Sequence, residues 1–547
     1  MFLTLESENH TMKKIKIIGS LILVSIISDF HNPASASSIN TDISELTGKA
    51  RCEALATLSS QTFTDLEIHQ VDYIDSKELI DAKTNRLNME QLAAFEPYCR
   101  LTGYFEKRTG VDNLPYAIGF GLSLPDQWNG KFLFQGGGGL NGLIREPLGS
   151  LAAGDVPALF RGFAVATSDG GHQSDTVFNP YFFADQKALI NFYYGAVEKS
   201  THVALELISK VYQQDPQQNY FVGCSTGGRE AMTMSQRAPE LFDGIIVGAP
   251  ARQTNYSELA NLWSAKRLRK VSEDQNSSPF TPVQQQAIVN ELLAQCDARD
   301  GLADGLLFDV VGCDFKTEKL LCQNKTSKGD CLNQQQVTAL NEAFAGPRNL
   351  GGEQIYPGFY FDTGILATGE RSIPGLLQAK SGPLLSIYMD EDFDVAKQTK
   401  IAKNFPLAGG NALLTNLTTF ALNGSKIMFF HGVSDPWFSA KDTFEYYQNM
   451  HKDSGGSEKA DNWSQFYFVP GMGHCGGGEQ ALDQFDMLTS LDHWVTEQER
   501  PTSVIATGKS MPGISRPLCP YPQMPIYDGQ GDSQVASSFV CKIPNES

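Results

Sequence analysis

The chain has 547 residues, of which 41% are hydrophobic and 19% are charged, so it is long enough to bury one large core or two smaller ones. Its formal net charge of -19 argues against nucleic acid or an anionic membrane surface as a partner, because both carry negative charge themselves. An acidic surface of this kind mainly favours solubility.

The N-terminus has the pattern of an export signal. Lysines between positions 13 and 16 precede an apolar run from Ile17 to Ile27, and Ala34-Ser35-Ala36 supplies a small-x-small cleavage site. The alternative is an uncleaved membrane anchor, which is disfavoured because the run is too short to cross a bilayer comfortably. The pattern predicts a signal peptide at residues 1–36 and a secreted or periplasmic protein.

Strand-like and helix-like stretches alternate up to about residue 250, which predicts an α/β sheet. One helix is predicted from Gly228 to Arg237. The clearest predicted strands in this part of the chain are Lys131–Gln135, Gly162–Thr167, Asn219–Val222 and Leu241–Val247.

The regular alternation stops between about Arg252 and Leu414, where helical stretches mix with irregular runs that hold four cysteines. It resumes with strand-like residues 425–430 and 465–469. The pattern predicts a catalytic α/β domain formed by residues 37–251 and 415–547, with an inserted lid at residues 252–414.

A candidate nucleophile lies in Gly223-Cys224-Ser225-Thr226-Gly227, a G-x-S-x-G between a predicted strand and a predicted helix. In α/β hydrolases the nucleophile sits on such a turn, and the flanking glycines allow the sharp bend. A serine hydroxyl needs a base to remove its proton and an acid to orient that base. Ser225 is therefore the predicted nucleophile of a serine hydrolase.

The chain order expected for this fold is serine, then acid, then histidine. Asp435 follows the predicted strand at residues 425–430, and His474 lies in a glycine-rich loop after the next strand. Asp435, which precedes Pro436, could instead be an ordinary turn initiator. The rival bases are His431, which suits a structural hydrogen bond, and His172, which precedes the serine and breaks the order.

Cysteines stand directly beside both candidate residues, Cys224 before Ser225 and Cys475 after His474. If they form a disulfide, their Cα atoms lie about 4.4–6.8 Å apart. The nucleophile and its base would then share one small volume. The chain has 10 cysteines and an export signal, so disulfides are expected, and Cys224 is more plausible as a half-cystine than as a nucleophile.

Acyl transfer also needs amide donors for the developing oxyanion. The residue after the nucleophile, Thr226, is expected to supply one N–H, and Gly137 or Gly138 in the run after the strand Lys131–Gln135 the other. A plain flexible loop is the alternative interpretation of that glycine run. Asp169, after the second predicted strand, is expected to fix its own loop.

Residues 296–306 place three carboxylates in a tight loop bent by two glycines. Calcium binds six to eight oxygens from carboxylates and carbonyls, so such a loop, held by a Cys296–Cys313 bridge, could bind it. The pattern is not that of an EF-hand, and a solvated acidic turn explains the residues equally well.

These motifs together resemble the tannase and feruloyl esterase family. The most specific are the Cys-Ser elbow extended to Glu230, the segment Ser168-Asp169-Gly170-Gly171-His172, and Gly473-His474-Cys475-Gly476. The resemblance covers nearly all of the chain after the signal and implies an α/β-hydrolase core with a lid inserted between the elbow and the acid.

The resemblance also implies a structural calcium ion in the lid and a full set of disulfides. The implied calcium ligands are Asp297, Asp300, Asp304 and the carbonyls of Leu302 and Leu306. The implied disulfides are Cys52–Cys99, Cys224–Cys475, Cys296–Cys313, Cys322–Cys331 and Cys519–Cys541.

The expected function is that of a secreted serine esterase that cleaves small esters of aromatic acids, of the feruloyl esterase or tannase type. The alternatives are a terephthalate monoester hydrolase and a calcium-stabilised aromatic-binding protein without catalysis. Tyr360, Phe361 and Trp263 could line the substrate pocket or form the core of the lid. Arg371 could meet a substrate carboxylate, although a lone arginine is more often solvated surface.

Overall fold

A computed structural model gives the structure of residues 43–58, 60–81, 87–273, 277–322, 329–366, 375–379 and 394–544. The predicted signal peptide and Arg371 lie outside these described residues. Within the described residues, no helix has both the length and the apolar character needed to cross a membrane.

A mixed nine-stranded sheet, in the order β1-β2-β3-β5-β4-β6-β7-β8-β9, forms the centre of the fold. From β5 to β9 every neighbouring pair is parallel, whereas β1, β2, β3 and β5 pair antiparallel. The strands are Glu67–Ile74 (β1), Tyr98–Thr109 (β2), Pro115–Pro125 (β3), Lys131–Gln135 (β4), Ala164–Ser168 (β5), Gln218–Ser225 (β6), Gly244–Pro250 (β7), Lys426–Gly432 (β8) and Ser464–Val469 (β9).

The α-helices run along both faces of this sheet and through the inserted segment. They are Gly48–Ala54 (α1), Met89–Ala93 (α2), Gln186–Ile190 (α3), Ala196–Tyr212 (α4), Thr226–Arg237 (α5), Thr254–Arg269 (α6), Pro282–Cys296 (α7), Gln334–Ala345 (α8), Val395–Lys403 (α9), Thr418–Leu422 (α10), Ala440–Asp453 (α11), Ser457–Ala460 (α12) and Met487–Glu497 (α13). The arrangement confirms the predicted α/β-hydrolase fold.

Two hydrophobic clusters, one on each face, bury the central strands. Leu207 of α4, Met232 of α5 and Phe444 of α11 belong to the first cluster, and Leu488 and Leu491 of α13 belong to the second. Strands buried on both faces read as continuous apolar runs, which is why the sequence pattern located them. The C-terminal part adds small antiparallel sheets from Gln484–Phe485 (β10), Val504–Thr507 (β11), Ser515–Leu518 (β12), Met524–Tyr527 (β13) and Phe539–Lys542 (β14).

The inserted segment has a hydrophobic cluster of its own. Its members include Leu268 of α6, Val289 of α7, and Leu340 and Phe344 of α8, with Phe361 packed against them. A separate apolar core is what a lid needs to hold its shape beside the main sheet. The boundaries of the lid at residues 252 and 414 stay a prediction.

All five disulfides pair as the family resemblance implies, and the described residues include no free cysteine. One of them, Cys52–Cys99, fastens α1 to β2, with Cα atoms 5.3 Å apart. The pairing of Cys519 with Cys541 joins the two small C-terminal sheets.

Arg252, at the start of the inserted segment, forms a buried ion pair with Asp442 of α11. Gln253 Nε2 donates a further hydrogen bond to the same carboxylate at 3.2 Å. Removing one partner of a buried ion pair lowers the free energy of unfolding much more than removing one partner of an exposed pair. The remaining charge of the buried pair is left in a medium of low polarity.

We therefore expect Asp442→Ala to lower the free energy of unfolding by about 3–5 kcal/mol, as measured by urea denaturation. Glu67→Ala is the control, because the Glu67–Lys107 pair is exposed on both sides and its loss is expected to change the free energy of unfolding far less. Equal effects of the two substitutions would show that the pair does not secure the lid to the sheet.

Candidate active site

Ser225 stands at the sharp turn between β6 and α5. Its backbone has φ 65° and ψ -125°, a conformation that L-residues rarely adopt and that functional sites hold in place. Glycine is required beside it, because a Cβ on Gly227 would lie 2.7 Å from the carbonyl oxygen of Gly137. The G-x-S-x-G pattern thus reflects the close packing of the turn against the glycine loop after β4.

Asp435 and His474 meet at the same edge of the sheet. Asp435 follows β8 and His474 follows β9, so both lie beyond the carboxyl ends of parallel strands, as Ser225 does at the end of β6. The Nδ1 of His474 lies 2.7 Å from Oδ2 of Asp435, and both side chains are buried. A carboxylate accepts at this position, so Nδ1 carries the proton and Nε2 is left as the basic nitrogen.

The backbone holds the carboxylate of Asp435 in this orientation. Its Oδ1 accepts hydrogen bonds from the amides of Trp437 at 2.8 Å and Phe438 at 3.1 Å. Burial alone would raise the pKa of Asp435, but His474 and His431 outweigh it and hold the pKa below its ordinary value. Asp435 is therefore ionised at neutral pH and able to stabilise an imidazolium.

The disulfide between Cys224 and Cys475 joins the nucleophile turn to the histidine loop. The Cα atoms of the two cysteines lie 6.0 Å apart, and Nε2 of His474 lies 3.7 Å from Sγ of Cys475. Nε2 of His474 therefore lies near the disulfide whose other cysteine, Cys224, immediately precedes Ser225. The structure brings Asp435 and His474 into contact and links the histidine loop to the residue before Ser225, and the catalytic roles of the three residues stay a prediction.

His172, the alternative base, and Asp169 make contacts of their own. The His172 ring is buried and stacks on Phe182 with ring centroids 3.8 Å apart, and burial lowers the pKa of His172 to about 4. Asp169 accepts hydrogen bonds from the amides of Gly119 and Gly171, so it fixes its own loop as predicted. None of these contacts involves the nucleophile turn.

The glycine loop after β4 packs against the elbow, but two of its amides already have partners. Gly137 N donates to Oε2 of Glu230 at 2.8 Å, and Gly138 N donates to Oδ1 of Asn141 at 3.0 Å. The Thr226 hydroxyl donates to the carbonyl oxygen of Gly139. The oxyanion role assigned to Gly137 and Gly138 stays a prediction, and their hydrogen bonds argue against it.

A pocket opens directly beside Ser225, between the sheet and the inserted segment. Its walls come from the elbow, the glycine loop, the residues after Asp435, and the lid. Its lining residues include Gly139, Phe178, Phe192, Thr226, Arg229, Thr254, Glu258, Leu407, Trp437 and Phe438. The mixture of aromatic walls with a few polar groups is typical of a site for a small organic ligand.

The lid aromatics suggested by the sequence lie outside this pocket. Trp263 donates its indole N–H to the carbonyl of Glu342 at 2.8 Å, and Phe361 stacks on Phe344 with ring centroids 4.0 Å apart. The Tyr360 ring meets the edge of Phe468. Trp263 and Phe361 therefore pack within the inserted segment, whereas Tyr360 packs against β9 of the main sheet.

Sequence reasoning missed the aromatic residues that do line the pocket. Trp437 and Phe438 come two and three residues after Asp435, and their ring centroids lie 4.9 and 5.2 Å from that of the His474 imidazole. Their position next to the acid was the available signal. Phe178 and Glu258 gave no such signal, because chain folding alone brings them to the pocket.

The acidic loop of the lid has the donor types and charge that calcium prefers. Asp300 is buried, and burial together with the nearby Asp304 and Asp297 raises the pKa of Asp300 to about 7. Arg516 pairs with Asp304 and supplies one compensating charge for three carboxylates. No three His, Cys, Asp or Glu side chains in the described ranges are arranged as a metal site, so calcium stays a prediction.

A family model described as tannase and feruloyl esterase matches residues 99–378 and 383–542. The chain belongs to the tannase and feruloyl esterase family. The mono(2-hydroxyethyl) terephthalate hydrolase of Piscinibacter sakaiensis is 32% identical over 523 residues, which cover 83% of this chain and 86% of that protein. Feruloyl esterase B of Aspergillus niger is 28% identical over 454 residues, which cover 76% of this chain and 82% of that protein.

Solved structures of tannase and feruloyl esterase family members share the fold. Feruloyl esterase B from Aspergillus oryzae superposes with a TM-score of 0.72 and 26% identity, covering 90% of this chain and 99% of its own. A tannin acyl hydrolase from Aspergillus niger gives a TM-score of 0.68 at 20% identity and covers 91% of this chain and 95% of its own. The protein is therefore a carboxylic ester hydrolase of the tannase and feruloyl esterase type.

We expect the double substitution Cys224→Ala with Cys475→Ala to lower the turnover number by about 100-fold, because small misplacements of reacting groups are that costly. The control is Cys519→Ala with Cys541→Ala, a pair with a similar Cα separation of 5.6 Å that joins the C-terminal sheets. Both doubles lose a crosslink, but only the first loses the alignment of Ser225 with His474. Ester hydrolysis and thermal melting are measured for each, and unchanged turnover in the first double would contradict the role of this disulfide.

Proposed function

We propose that this protein cleaves esters of aromatic acids through an acyl-enzyme on Ser225. The observation that carries the proposal is the buried contact of His474 with Asp435, held by the disulfide that joins the histidine loop to the nucleophile turn. Family membership establishes the esterase class. The assignment of roles to residues rests on this geometry.

In the proposed first step His474 Nε2 accepts the proton of Ser225 as its Oγ attacks the ester carbonyl carbon. Asp435 keeps the proton on Nδ1 and stabilises the imidazolium that forms. The imidazolium then gives its proton to the leaving alkoxide, which departs as the alcohol. Water resolves the acyl-enzyme by the same sequence in reverse, with His474 again acting as base.

The developing oxyanion needs N–H donors at the mouth of the elbow. The amide of Thr226 opens helix α5 next to Ser225 and is the first donor in our proposal. We place the second at Gly139, which lines the pocket with Ser225, because the amides of Gly137 and Gly138 are engaged by side chains.

The pocket supports an aromatic acyl group. Phe178 and Trp437 meet edge to face, with ring centroids 6.5 Å apart, and form one wall. Flat aromatic ligands gain both apolar contact and ring interactions from such a wall. Feruloyl or galloyl esters are the preferred substrates in our proposal, and the terephthalate hydrolase relative favours a terephthalate monoester as the second candidate.

Export is part of the proposal. The five disulfides suit an oxidising compartment such as the periplasm or the cell exterior, where thiols are not kept reduced. The lysine and apolar pattern before residue 37 would supply the signal.

A panel of methyl ferulate, methyl gallate, mono(2-hydroxyethyl) terephthalate and p-nitrophenyl acetate tests this proposal. We expect turnover of at least one aromatic ester, with a preference over the acetate, and its loss in Ser225→Ala because the acyl acceptor is gone. Ser490→Ala, on α13 and outside the pocket, is the matched control and is expected to keep full activity. Activity that survives in Ser225→Ala would refute the serine mechanism, and no turnover by a folded protein would favour a binding role.

The predicted calcium ion gives a separate test. The carboxylates of Asp297, Asp300 and Asp304 with the carbonyls of Leu302 and Leu306 would hold the ion in the lid, where it would have a structural role. We expect chelation to lower the melting temperature by several degrees, because a ligand bound only to the folded state stabilises it. Asp300→Asn should remove this calcium dependence, whereas Asp314→Asn, at an exposed acid, should not. The same melting curve with and without chelator, in protein that elemental analysis finds free of calcium, would dismiss the site.

A further inference from the structure

Asp435 has a second histidine neighbour besides His474. The Nε2 of His431 lies 3.4 Å from Oδ2 of Asp435, which is the same oxygen that accepts from His474 at 2.7 Å. His431 is fully buried at the end of β8, four residues before the acid. The carboxylate is therefore placed between two imidazoles.

The hydrogen bonds of His431 determine where its proton lies. Its Nε2 is 3.0 Å from the carbonyl oxygen of Phe438, and a carbonyl only accepts, so Nε2 carries a hydrogen. Its Nδ1 is 3.0 Å from Oγ1 of Thr443, a hydroxyl that donates to the unprotonated nitrogen of the neutral ring. Thr443 thus favours the tautomer whose Nε2–H is donated to the carbonyl of Phe438 and lies near Asp435.

We propose that His431 is a positioning residue for the reaction, one that shares Oδ2 of Asp435 with His474 and thereby limits how strongly the acid stabilises the imidazolium of His474. This inference rests on the proposed triad. His431 does not touch the pocket, so it acts only through Asp435.

Because His431 and His474 both lie against Oδ2 of Asp435, His431 influences the protonation of His474 in one direction. The Nε2–H of His431 is donated to the carbonyl of Phe438, but its positive end lies near Oδ2 of Asp435, 3.4 Å from the nitrogen. A positive end at this distance stabilises the carboxylate and weakens the effect of its charge on His474. Without His431, more of that charge faces His474 and favours the protonated imidazole over the neutral one. A positively charged His431 would have the same effect by direct repulsion, so both protonation states of His431 predict the same direction.

Other ionisable groups lie on the elements packed around this pair. The lid supplies Tyr356, whose hydroxyl accepts from the amide of Ser439, and Asp362, whose Oδ2 accepts from Ser434 Oγ at 2.6 Å and Gly471 N at 2.7 Å. On α11, Asp442 is neutralised by Arg252. Arg229 and Glu258 face the pocket side.

The test compares variants by two readouts, the acidic limb of the pH profile of kcat/KM and the NMR titration of the His474 imidazole. We expect His431→Phe to move both midpoints upward by about 0.5–1 pH unit and to lower kcat/KM at neutral pH by about 3-fold, because a shift of one pH unit can lower the rate by at most about 10-fold. Thr443→Val removes one oxygen while keeping the shape, and it should move both midpoints in the same direction by a smaller amount. His431→Gln, which can donate an amide N–H, should recover part of the loss.

His451→Phe is the matched control. His451 is also buried and hydrogen-bonded, with Nε2 2.9 Å from Oγ of Ser464, and it lies on α11 together with Thr443, away from Asp435. Its loss should lower the melting temperature while both midpoints stay where they are in the wild type. A purely structural role of His431 would make the two histidine substitutions alike.

Unmoved midpoints in folded His431→Phe and Thr443→Val would overturn the inference. If His431→Phe does not fold, Thr443→Val decides alone, because loss of one hydroxyl is a small change in volume. Failure of the proposed serine mechanism is seen separately, as activity that survives in Ser225→Ala. The NMR titration of His474 remains measurable in that variant and tests the role of His431 without turnover.

Discussion

The crosslink between Cys224 and Cys475 is the constraint on which the geometry of the site depends. Ser225 ends β6 and His474 follows β9, so two other strands, β7 and β8, separate them in the sheet. A loop as rich in glycine as residues 471–478 would not hold a histidine in one place by itself. The disulfide gives that loop a covalent link to the nucleophile turn, and the Asp435 carboxylate then fixes the direction of the imidazole.

The sheet and the inserted segment both contribute residues to the site. The sheet edge supplies reacting groups, whereas the lid supplies Thr254, Glu258 and Leu407 to the pocket wall. The lid also reaches the catalytic loops directly, because Asp362 accepts hydrogen bonds from Ser434 in the acid loop and Gly471 in the histidine loop. The same insertion therefore contributes both to the pocket wall and to the contacts of the acid and histidine loops.

The sequence located those features that depend on local pattern. The strand Lys131–Gln135 was predicted with its observed limits, because a strand buried on both faces is a short apolar run. The elbow and the order of Ser225, Asp435 and His474 were recognisable from motifs. Strands β1 to β3 were not predicted, because β1 and β2 are partly exposed and the buried run of β3 is interrupted by two glycines and a serine.

What the sequence could not provide arises from contacts between distant segments. The pairing of Gly137 and Gly138 amides with side chains, and the arrival of Phe178 and Glu258 at the pocket, follow only from the folded chain. The same holds for His431, whose position near Asp435 was interpreted as a structural hydrogen bond, without the tautomer that Thr443 and Phe438 impose.

Whether Ser225 is a nucleophile activated by His474 is measured most directly by labelling with a fluorophosphonate that reacts only with activated serines. Peptide mapping by mass spectrometry then identifies the labelled residue. We expect one modified residue, Ser225. Labelling should be lost in His474→Ala, because the base that activates the hydroxyl is absent. Labelling that is as fast in His474→Ala as in the native protein, or that occurs at another serine, would contradict this expectation.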